Sequence, residues 1–436
     1  MKSKSCHGAI LRIVAMLLAL APAPARAAGL AYEVQTWEVA PATTGVLVED
    51  HRAPLIQLRL EFPVGAWSPW VHEHHAEDAW RIQALGVMRG RADNLAAEVS
   101  SSMNQWASSL AVTCPREEIK EVLTLVRDIL ASRNFDRSEL SRMDRRMQWQ
   151  ASAKEPDFAL KQAVHRLFFA LRDPRRRPYE PPEAPLKDIP KLADARDIIV
   201  RLPGRFIGFA GDLTRSEAEA WAHDLLPPAA GQSPAGIPPQ LLSLATRERR
   251  PSEQTVRLPR LTQVYFAYTR ESLAFADPDK PAQMIADHVL AGHLYSRLGE
   301  ALRQEEGDTY AVGVVEAGGD FAPGAYGIST FTRTANAAAT DRKLRAVMKD
   351  FCARGITEEE RAAAAGYLRG RRAFERQAPG QVLDEFLWEH WQKVPRGYRD
   401  QLAERAAAVS LAEVNAFIRR FYDPAQFTMI RLVAGK

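Results

Sequence analysis

The sequence predicts an α+β fold in which one structural unit occurs twice along the chain. In the first half, an amphipathic helix at 119–130 precedes the capping-box sequence Asp136-Arg-Ser-Glu139. In the second half, an amphipathic helix at 344–351 precedes a similar capping box, Thr357-Glu-Glu-Glu360. Each half also ends on a helix followed by a strand. Two copies of one unit, rather than many short repeats, explain this order.

The first half begins with a predicted pair of strands within 45–65. Ile56, Leu58, Leu60 and Phe62 alternate with polar residues, and this period of two indicates a strand with one buried face. Because the turn residues lie at 49–52, we expect the two strands to form a hairpin.

The rest of the first half alternates between the two kinds of element. The predicted elements are a strand within 99–113, helices at 117–131, 192–200 and 213–226, a loop at 173–190 and a strand at 206–210. Residues 227–239 are rich in Pro, Gly and Ala, which is typical of a linker. We therefore predict a first domain at 28–226, a linker at 227–245 and a second domain at 246–436.

The second half repeats this order. The predicted elements are strands at 264–268, 310–315 and 325–331, a long helical region at 281–302, and a terminal helix and strand beginning at 411 and 427. A chain of this length suits two domains better than one ordinary core.

Residues 1–27 have the features of a secretory signal peptide. Lys2 and Lys4 precede an apolar run at 13–21, and Ala25-Arg26-Ala27 has the small-x-small form of a cleavage site. The apolar run is too short to cross a bilayer. We expect an exported protein of the bacterial periplasm that has no membrane span.

The charge and the cysteines indicate an ordinary globular protein. The net charge is +4, and the predicted signal peptide contains four basic residues and no acidic one, so the mature chain is near neutral. A neutral chain does not favour nucleic acid or an anionic membrane as a partner. Cys114 and Cys352 are predicted to be buried free thiols, and a single disulfide is the alternative in an oxidising compartment.

The segment VHEHHAEDAW at 71–80 carries the strongest chemical signal. Two His at i and i+4 on a helix can hold one zinc ion, and a Glu at i+3 can act as base on a zinc-bound water, as in the pattern His-x-x-Glu-His. Here His74 and Glu77 match that pattern, and Asp78 stands where the second His belongs. Four tryptophans near this segment are predicted to pack in the core or to plug a former cleft: Trp67, Trp70, Trp80 and Trp106.

These features resemble the pitrilysin/insulinase family of zinc metallopeptidases in its small bacterial two-domain form. The segment VLVEDHRAPL at 46–55 and the alternating strand after it are similar to the family's opening hairpin. The segment from Asp277-Pro-Asp through Ser296-Arg-Leu to Tyr310 is similar to another characteristic stretch. The resemblance covers nearly the whole mature chain. It implies two homologous roll-like domains, each a mostly antiparallel sheet packed with helices, which together form half of a clamshell.

The family's site residues carry over only in part. The resemblance implies metal-ligand positions at His74, Asp78 and Gln150 and the base position at Glu77. Because Asp replaces a His and a neutral Gln replaces a Glu, we expect zinc to bind weakly or not at all to this chain. A Ser100-Ser101 pair also stands where the family usually has Asn-Ala.

The second half retains the residues that the resemblance assigns to the substrate. Arg303 and Tyr310 match an Arg/Tyr pair that reaches the substrate carbonyl. A guanidinium and a phenol can both donate hydrogen bonds to an oxygen that gains negative charge during attack.

The combined pattern predicts the non-catalytic, substrate-binding subunit of a heterodimeric zinc metallopeptidase that cleaves peptides inside a closed chamber. Its partner would be a homologous chain that holds the zinc ion. Two alternatives remain open. In the first, the chain is an active zinc peptidase with altered ligands and Glu77 as base. In the second, it is a peptidase-fold scaffold or peptide-binding module without catalysis.

Overall fold

A computed structural model describes residues 32–74, 80, 91, 95–133, 138, 141, 145, 155–169, 173, 175, 189–231, 252–303, 311–317 and 324–435. The predicted signal peptide and most of the predicted linker therefore lie outside the described residues. No helix within these ranges is both long and apolar enough to cross a membrane.

The described strands form two sheets. The strands are β1 Gln35–Ala40, β2 Thr43–Glu49, β3 Leu55–Phe62, β4 Glu98–Met103, β5 Ser108–Pro115, β6 Arg205–Gly211, β7 Glu253–Pro259, β8 Gln263–Glu271, β9 Val312–Ala317, β10 Ala325–Arg333 and β11 Thr428–Gly435. The first sheet has the order β1-β2-β6-β3-β5-β4, and the second has the order β7-β11-β8-β10-β9.

The described helices surround these sheets. They are α1 Pro69–Glu73, α2 Ile119–Ala131, α3 Pro156–Phe168, α4 Ile189–Arg201, α5 Arg215–Leu225, α6 Lys280–Ala291, α7 Arg297–Arg303, α8 Ala337–Arg354, α9 Glu358–Phe374, α10 Pro379–Trp391, α11 Tyr398–Ala408 and α12 Leu411–Phe421.

The two sheets share one topology. The last strand of each half makes a parallel pair: β6 pairs with β2, the second strand of its half, and β11 pairs with β7, the first strand of its half. The remaining pairings between neighbouring strands are antiparallel. Once β1 is set aside as an extra edge strand, the first sheet has the strand order of the second. This confirms the predicted α+β class with two homologous, mostly antiparallel units.

Two predictions about local structure are wrong. β2 and β3 are not a hairpin, because β6 lies between them and pairs with both. The single strand predicted within 99–113 is two strands, β4 and β5, with a turn at 104–107. In both cases the apolar pattern indicates strands, but it does not identify the pairing partner or the break. The helical region predicted at 281–302 is present as two helices, α6 and α7.

Each sheet packs one face against helices of its own half. In the first sheet, the core-facing side chains of β3 lie with those of α2, α4 and α5 in one apolar cluster, which includes Ile56, Leu58, Leu60, Val126 and Ile199. In the second sheet, Phe266 and Ile328 pack with α6, α8 and α12. The period-two pattern of β3 therefore predicted the correct buried face.

The opposite face of each sheet is covered by a helix from the other half. α3, from the first half, packs Leu160, Val164 and Leu167 against Ile430 and Leu432 of β11. α10, from the second half, packs against β2 and β6, with Val382, Leu383 and Leu387 beside Val46 and Phe206. The two halves thus exchange one helix each, and each sheet has helices on both faces.

Two glycines permit α10 to lie close to the first sheet. A Cβ atom added to Gly208 of β6 would lie 2.7 Å from Leu383 Cδ1, and one added to Gly380 of α10 would lie 1.4 Å from Gln57 Oε1. Both distances are shorter than any ordinary van der Waals contact. While Leu383 and Gln57 keep these side-chain positions, the packing of α10 on this sheet leaves no room for a Cβ atom at either glycine.

Helix caps and cysteines follow the sequence in part. The capping box at Thr357 and Glu360 is present, and Thr214 with Glu217 and Ser410 with Glu413 form two more. The predicted box at Asp136 to Glu139 lies outside the described residues, apart from Ser138.

Two cysteines are free thiols. Cys114 is buried in the first half, and Cys352 is half-buried in the second half.

The second half contains a buried carboxyl group. Tyr326 and Tyr422 each place a hydroxyl 2.6 Å from Oδ1 of Asp287 on α6 and donate a hydrogen bond to it. Burial raises the pKa of Asp287 to about 7, although the two hydrogen bonds act in the opposite direction. The folded protein therefore keeps a proton on Asp287 at pH values where the unfolded chain has lost it.

Replacement of Leu383 tests the helix exchange. Leu383 is fully buried against the other half, so Leu383→Ala should lower the free energy of unfolding by about 2–5 kcal/mol. Urea denaturation measures this change. Leu294 is 51% exposed, so the control Leu294→Ala should change it by no more than about 0.5 kcal/mol. Equal effects of the two substitutions would contradict the described packing.

The pH dependence of stability tests the Asp287 group. Stability should fall as the pH rises from the ordinary Asp pKa of 3.8 to about 7, because the folded state binds a proton that the unfolded state does not. Asp287→Asn should remove this pH-dependent loss in the free energy of unfolding. The loss is on the order of 1–3 kcal/mol between pH 5 and pH 8.

Urea denaturation at both pH values provides the comparison with wild type. Asp350→Asn is the control, because Asp350 is an exposed partner of Arg354 on α8 and such a pair contributes little. A pH profile of Asp287→Asn parallel to that of wild type would show that Asp287 does not titrate in this range.

Candidate functional site

His74 follows directly after the short helix α1. Its backbone N–H donates to the Trp70 carbonyl at 3.1 Å, and its ring Nδ1 lies 2.9 Å from the same oxygen. A carbonyl oxygen only accepts, so Nδ1 donates this bond, and in a neutral imidazole Nε2 then has the lone pair. The imidazole ring of His74 also stacks on the indole ring of Trp70, with ring centroids 5.0 Å apart. This is the orientation that a backbone carbonyl gives to a metal-binding imidazole.

The other predicted site residues are described little or not at all. Glu77, Asp78, Gln150 and Tyr310 lie outside the described residues. Arg303 is the last residue of α7, and only its backbone is described. The structure therefore does not show these residues together, and their roles remain predictions.

The donor set that the family resemblance implies is a poor one for a catalytic zinc ion. A histidine, an aspartate and a neutral glutamine form a weaker set than two histidines and a glutamate. Within the described ranges, no group of three His, Cys, Asp or Glu side chains has the arrangement of a metal site.

The tryptophans near His74 fix the segment on the first sheet. Trp80 is buried against Phe62, with ring centroids 5.1 Å apart, and its Nε1 donates to the Ser109 carbonyl at 3.0 Å. Trp67 is buried against Trp106 at 4.7 Å. The interpretation of Trp67 and Trp80 as core residues is confirmed.

α7 is held firmly by its first residues. Arg297 makes a two-pronged ion pair with Glu360 of α9, at 2.9 and 2.7 Å. Leu298 and Leu302 are buried in the core of the second half. The Ser296-Arg-Leu sequence is thus a structural anchor, and it fixes the backbone position of Arg303 at the end of the helix.

A cavity of about 290 Å³ that is lined by both polar and apolar side chains lies between the first sheet and α10. We call it the α10 cavity. From the sheet it is lined by Arg59, Glu61, Ser102, Asn104, Trp106 and Ser109. From α10 and the residue after it, it is lined by Asp384, Trp388, Trp391 and Gln392. The cavity exists because the polar face of β3 meets a helix that carries polar and aromatic side chains together.

The β4–β5 turn shapes one side of the α10 cavity. Oδ1 of Asn104 accepts hydrogen bonds from the backbone N–H groups of Trp106 at 2.8 Å and Ala107 at 2.7 Å. The Asn104 carbonyl accepts from Ala66 at 2.8 Å. These bonds hold the turn in one conformation, as Asx turns do. They therefore fix the position of Trp106 at the cavity.

The charges of the α10 cavity come from three side chains. Arg59 donates to Asp384 through Nε at 2.8 Å and through Nη2 at 3.4 Å. Glu61 accepts a hydrogen bond from the Trp391 indole N–H. Burial raises the pKa of Glu61 to about 7, the Trp391 hydrogen bond and Arg59 lower it, and Asp384 raises it further.

The sequence did not predict this cavity. The alternation of β3 identified Arg59 and Glu61 as the face away from the core, but it did not identify what covers that face. α10 was not predicted, although Trp388 and Trp391 are three residues apart and share a helix face with Asp384. A pair of tryptophans beside a carboxylate on one face was the available signal.

Comparisons with known proteins agree on the family and the fold. Residues 207–366 match the model of the peptidase M16 inactive domain. The peptidase M16 inactive domain from Pseudomonas fluorescens has 18% sequence identity and a TM-score of 0.71, over 93% of this chain and 99% of that chain. A protease from Helicobacter pylori has 11% identity and a TM-score of 0.71, over 92% and 100% of the two chains.

A longer relative has the same fold in about half of its length. The periplasmic protease PqqL from Escherichia coli has 12% identity and a TM-score of 0.67, over 99% of this chain and 51% of that chain. No curated protein matched the sequence. Identities this low show the fold alone, and the family assignment rests on the matched segment. Residues 207–366 thus match the inactive domain of the M16, or pitrilysin/insulinase, peptidases, and the chain as a whole has the fold of the solved M16-like structures.

Proposed function

We propose that this chain is the non-catalytic, substrate-binding subunit of a heterodimeric zinc metallopeptidase. The observation that carries the proposal is the match of 207–366 to an inactive M16 domain. That segment runs from β6 to α9 and includes α7, whose last residue is Arg303. In this arrangement a homologous partner chain holds the zinc ion and its base.

The size of the chain supports the proposal. This chain aligns with about half of the periplasmic protease from E. coli. Two such units in one polypeptide can enclose a chamber between them, as the two halves of a clamshell do. The likeness to half of that protein supports a proposal in which a second, homologous unit completes the enclosure.

The role that we propose for the second half is electrostatic. Arg303 and Tyr310 would donate hydrogen bonds to the carbonyl oxygen of the peptide bond that the partner attacks. Donors placed in advance stabilise the negative charge that develops on this oxygen. The anchoring of α7 by Arg297 and Glu360 supports this role, because a fixed donor does not have to reorganise during the reaction.

We also propose that the protein acts in the bacterial periplasm on peptide substrates. The basic start, the short apolar run and Ala25-Arg26-Ala27 support export. The periplasmic protease from E. coli with the same fold supports the compartment.

A second candidate function is supported by the orientation of His74. With Nδ1 bonded to the Trp70 carbonyl, Nε2 is available as a zinc ligand. An active peptidase would then use His74 and Asp78 on zinc and Glu77 as base. Metal analysis of the pure chain separates the two candidates, because the second requires one zinc ion per chain and chelator-sensitive cleavage.

Reconstitution with the zinc-holding partner tests the proposal. Neither chain alone should cleave a fluorogenic peptide efficiently, and the mixture should. Arg303→Ala in this chain should lower kcat/KM of the mixture by roughly 10²-fold, because the loss of one such donor typically costs 10² to 10³. Initial rates of the purified 1:1 complex provide the measurement.

The matched control is Arg369→Ala on α9, since Arg369 is exposed and pairs only at the surface with Glu404. Its complex should be as active as wild type. If the partner is equally active without this chain, or if both arginine variants behave alike, the proposal is wrong. Loss of activity in Glu77→Gln of this chain would instead assign the chemistry to the second candidate.

A further inference from the structure

The α10 cavity contains a buried acceptor for which the described part of the chain supplies no donor. Gln392 is 4% exposed, and its Oε1 has no hydrogen-bond partner among the residues that the structure describes. The side chain lines the cavity. A buried polar atom without a partner is unfavourable, and native proteins almost always satisfy such atoms. Oε1 of Gln392 is therefore an acceptor that is open to a hydrogen-bond donor beside this space.

The charge balance of the cavity specifies the kind of donor. Arg59 is already engaged with Asp384 through two hydrogen bonds. Glu61 receives one hydrogen bond, from the neutral indole of Trp391. Once Glu61 is ionised, the three charged side chains carry one net negative charge. A cation that bears N–H groups would neutralise this charge and also satisfy Gln392.

The size and walls of the cavity limit the ligand further. A volume of about 290 Å³ lies at the lower end of the range for ligand pockets. It suits one long side chain or one small molecule, and it does not suit a folded peptide segment. Trp106, Trp388 and Trp391 supply apolar walls for an alkyl stem.

We propose that the α10 cavity binds the cationic end of a ligand, a guanidinium or ammonium group on an alkyl stem, with Glu61 and Gln392 as its acceptors. The cation would take its place between the carboxylate of Glu61 on β3 and Oε1 of Gln392 at the end of α10. This site uses neither Arg303 nor the zinc-ligand positions. The proposal is therefore independent of the peptidase partner.

The titration of Glu61 supports the same assignment. The charged groups that face Glu61 are Arg59 on its own strand and Asp384 on α10. The lining residues of β4 and β5 carry no charge. Burial keeps part of Glu61 protonated near neutral pH, so a bound cation should lower its pKa and release a proton.

Calorimetric titration of the isolated full-length chain at pH 8 tests the site. One probe is agmatine, a free alkyl guanidinium. The other is the blocked peptide acetyl-Gly-Arg-Gly-amide, and its citrulline counterpart is the neutral control of equal shape. The guanidinium probes should bind, and the citrulline peptide should bind at least about tenfold more weakly.

The two guanidinium probes distinguish the source of the ligand. Binding of agmatine alone supports a free small cation, and binding of both supports a basic side chain of a peptide. No saturable binding of either probe up to about 10 mM, or equal binding of the citrulline peptide, overturns the proposal.

Two variants locate the binding at the cavity. Glu61→Gln should weaken binding by about 10- to 100-fold, because it removes a charge-assisted hydrogen bond but keeps the size of the side chain. Gln392→Met should weaken it by about fivefold, because it removes the second acceptor. The exposed Glu359→Gln on α9 is the matched control and should bind as wild type does.

A second measurement uses the wild-type chain, so its result does not depend on whether the variants fold. Titration of the wild-type chain at pH 7 in two buffers of different ionisation enthalpy should show proton release on binding. Binding without proton release, together with an unchanged affinity in Glu61→Gln, would exclude Glu61 as the acceptor and overturn the assignment.

Discussion

The exchange of α3 and α10 between the two halves is the constraint on which the rest of the structure depends. A sheet with apolar side chains on both faces cannot leave either face in water. β2 has Leu47 in the core of its own half and Val46 and Val48 in the cluster formed with α10. The first sheet is therefore complete only when the second half supplies a helix, and the second sheet depends on α3 in the same way.

The same exchange creates the α10 cavity. Where α10 crosses β2 and β6, the contact is apolar and close, and Gly208 of β6 lies against Leu383 of α10. Where it passes over β3 and the β4–β5 hairpin, the sheet presents Arg59, Glu61 and serines. One helix thus packs closely on one part of the sheet and leaves the α10 cavity over the other part. The chemistry of that space depends on both halves.

The sequence predicted what is encoded locally. Thr357 and Glu360 form the predicted capping box, and the alternation from Ile56 to Phe62 identified the buried face of β3. The doubling of one unit was visible because both halves carry the same order of local signals. These features depend on residues within one or two turns of each other.

What the sequence did not predict depends on contacts between distant residues. The insertion of β6 between β2 and β3 joins strands about 150 residues apart, and no turn signal records it. The alternation of β3 likewise could not show that α10, more than 300 residues away, covers its polar face. The α10 cavity was missed for the same reason, since its two carboxylates come from opposite halves.

The helix exchange also has a consequence for the chain after proteolysis. A single cut between Gly231 and Ser252 would separate the halves covalently. α3 would still lie on the sheet of the other fragment, and α10 would still lie on the sheet of the first. Each fragment therefore packs against the other at two separate apolar interfaces. We expect a cleaved molecule to stay assembled as a non-covalent pair.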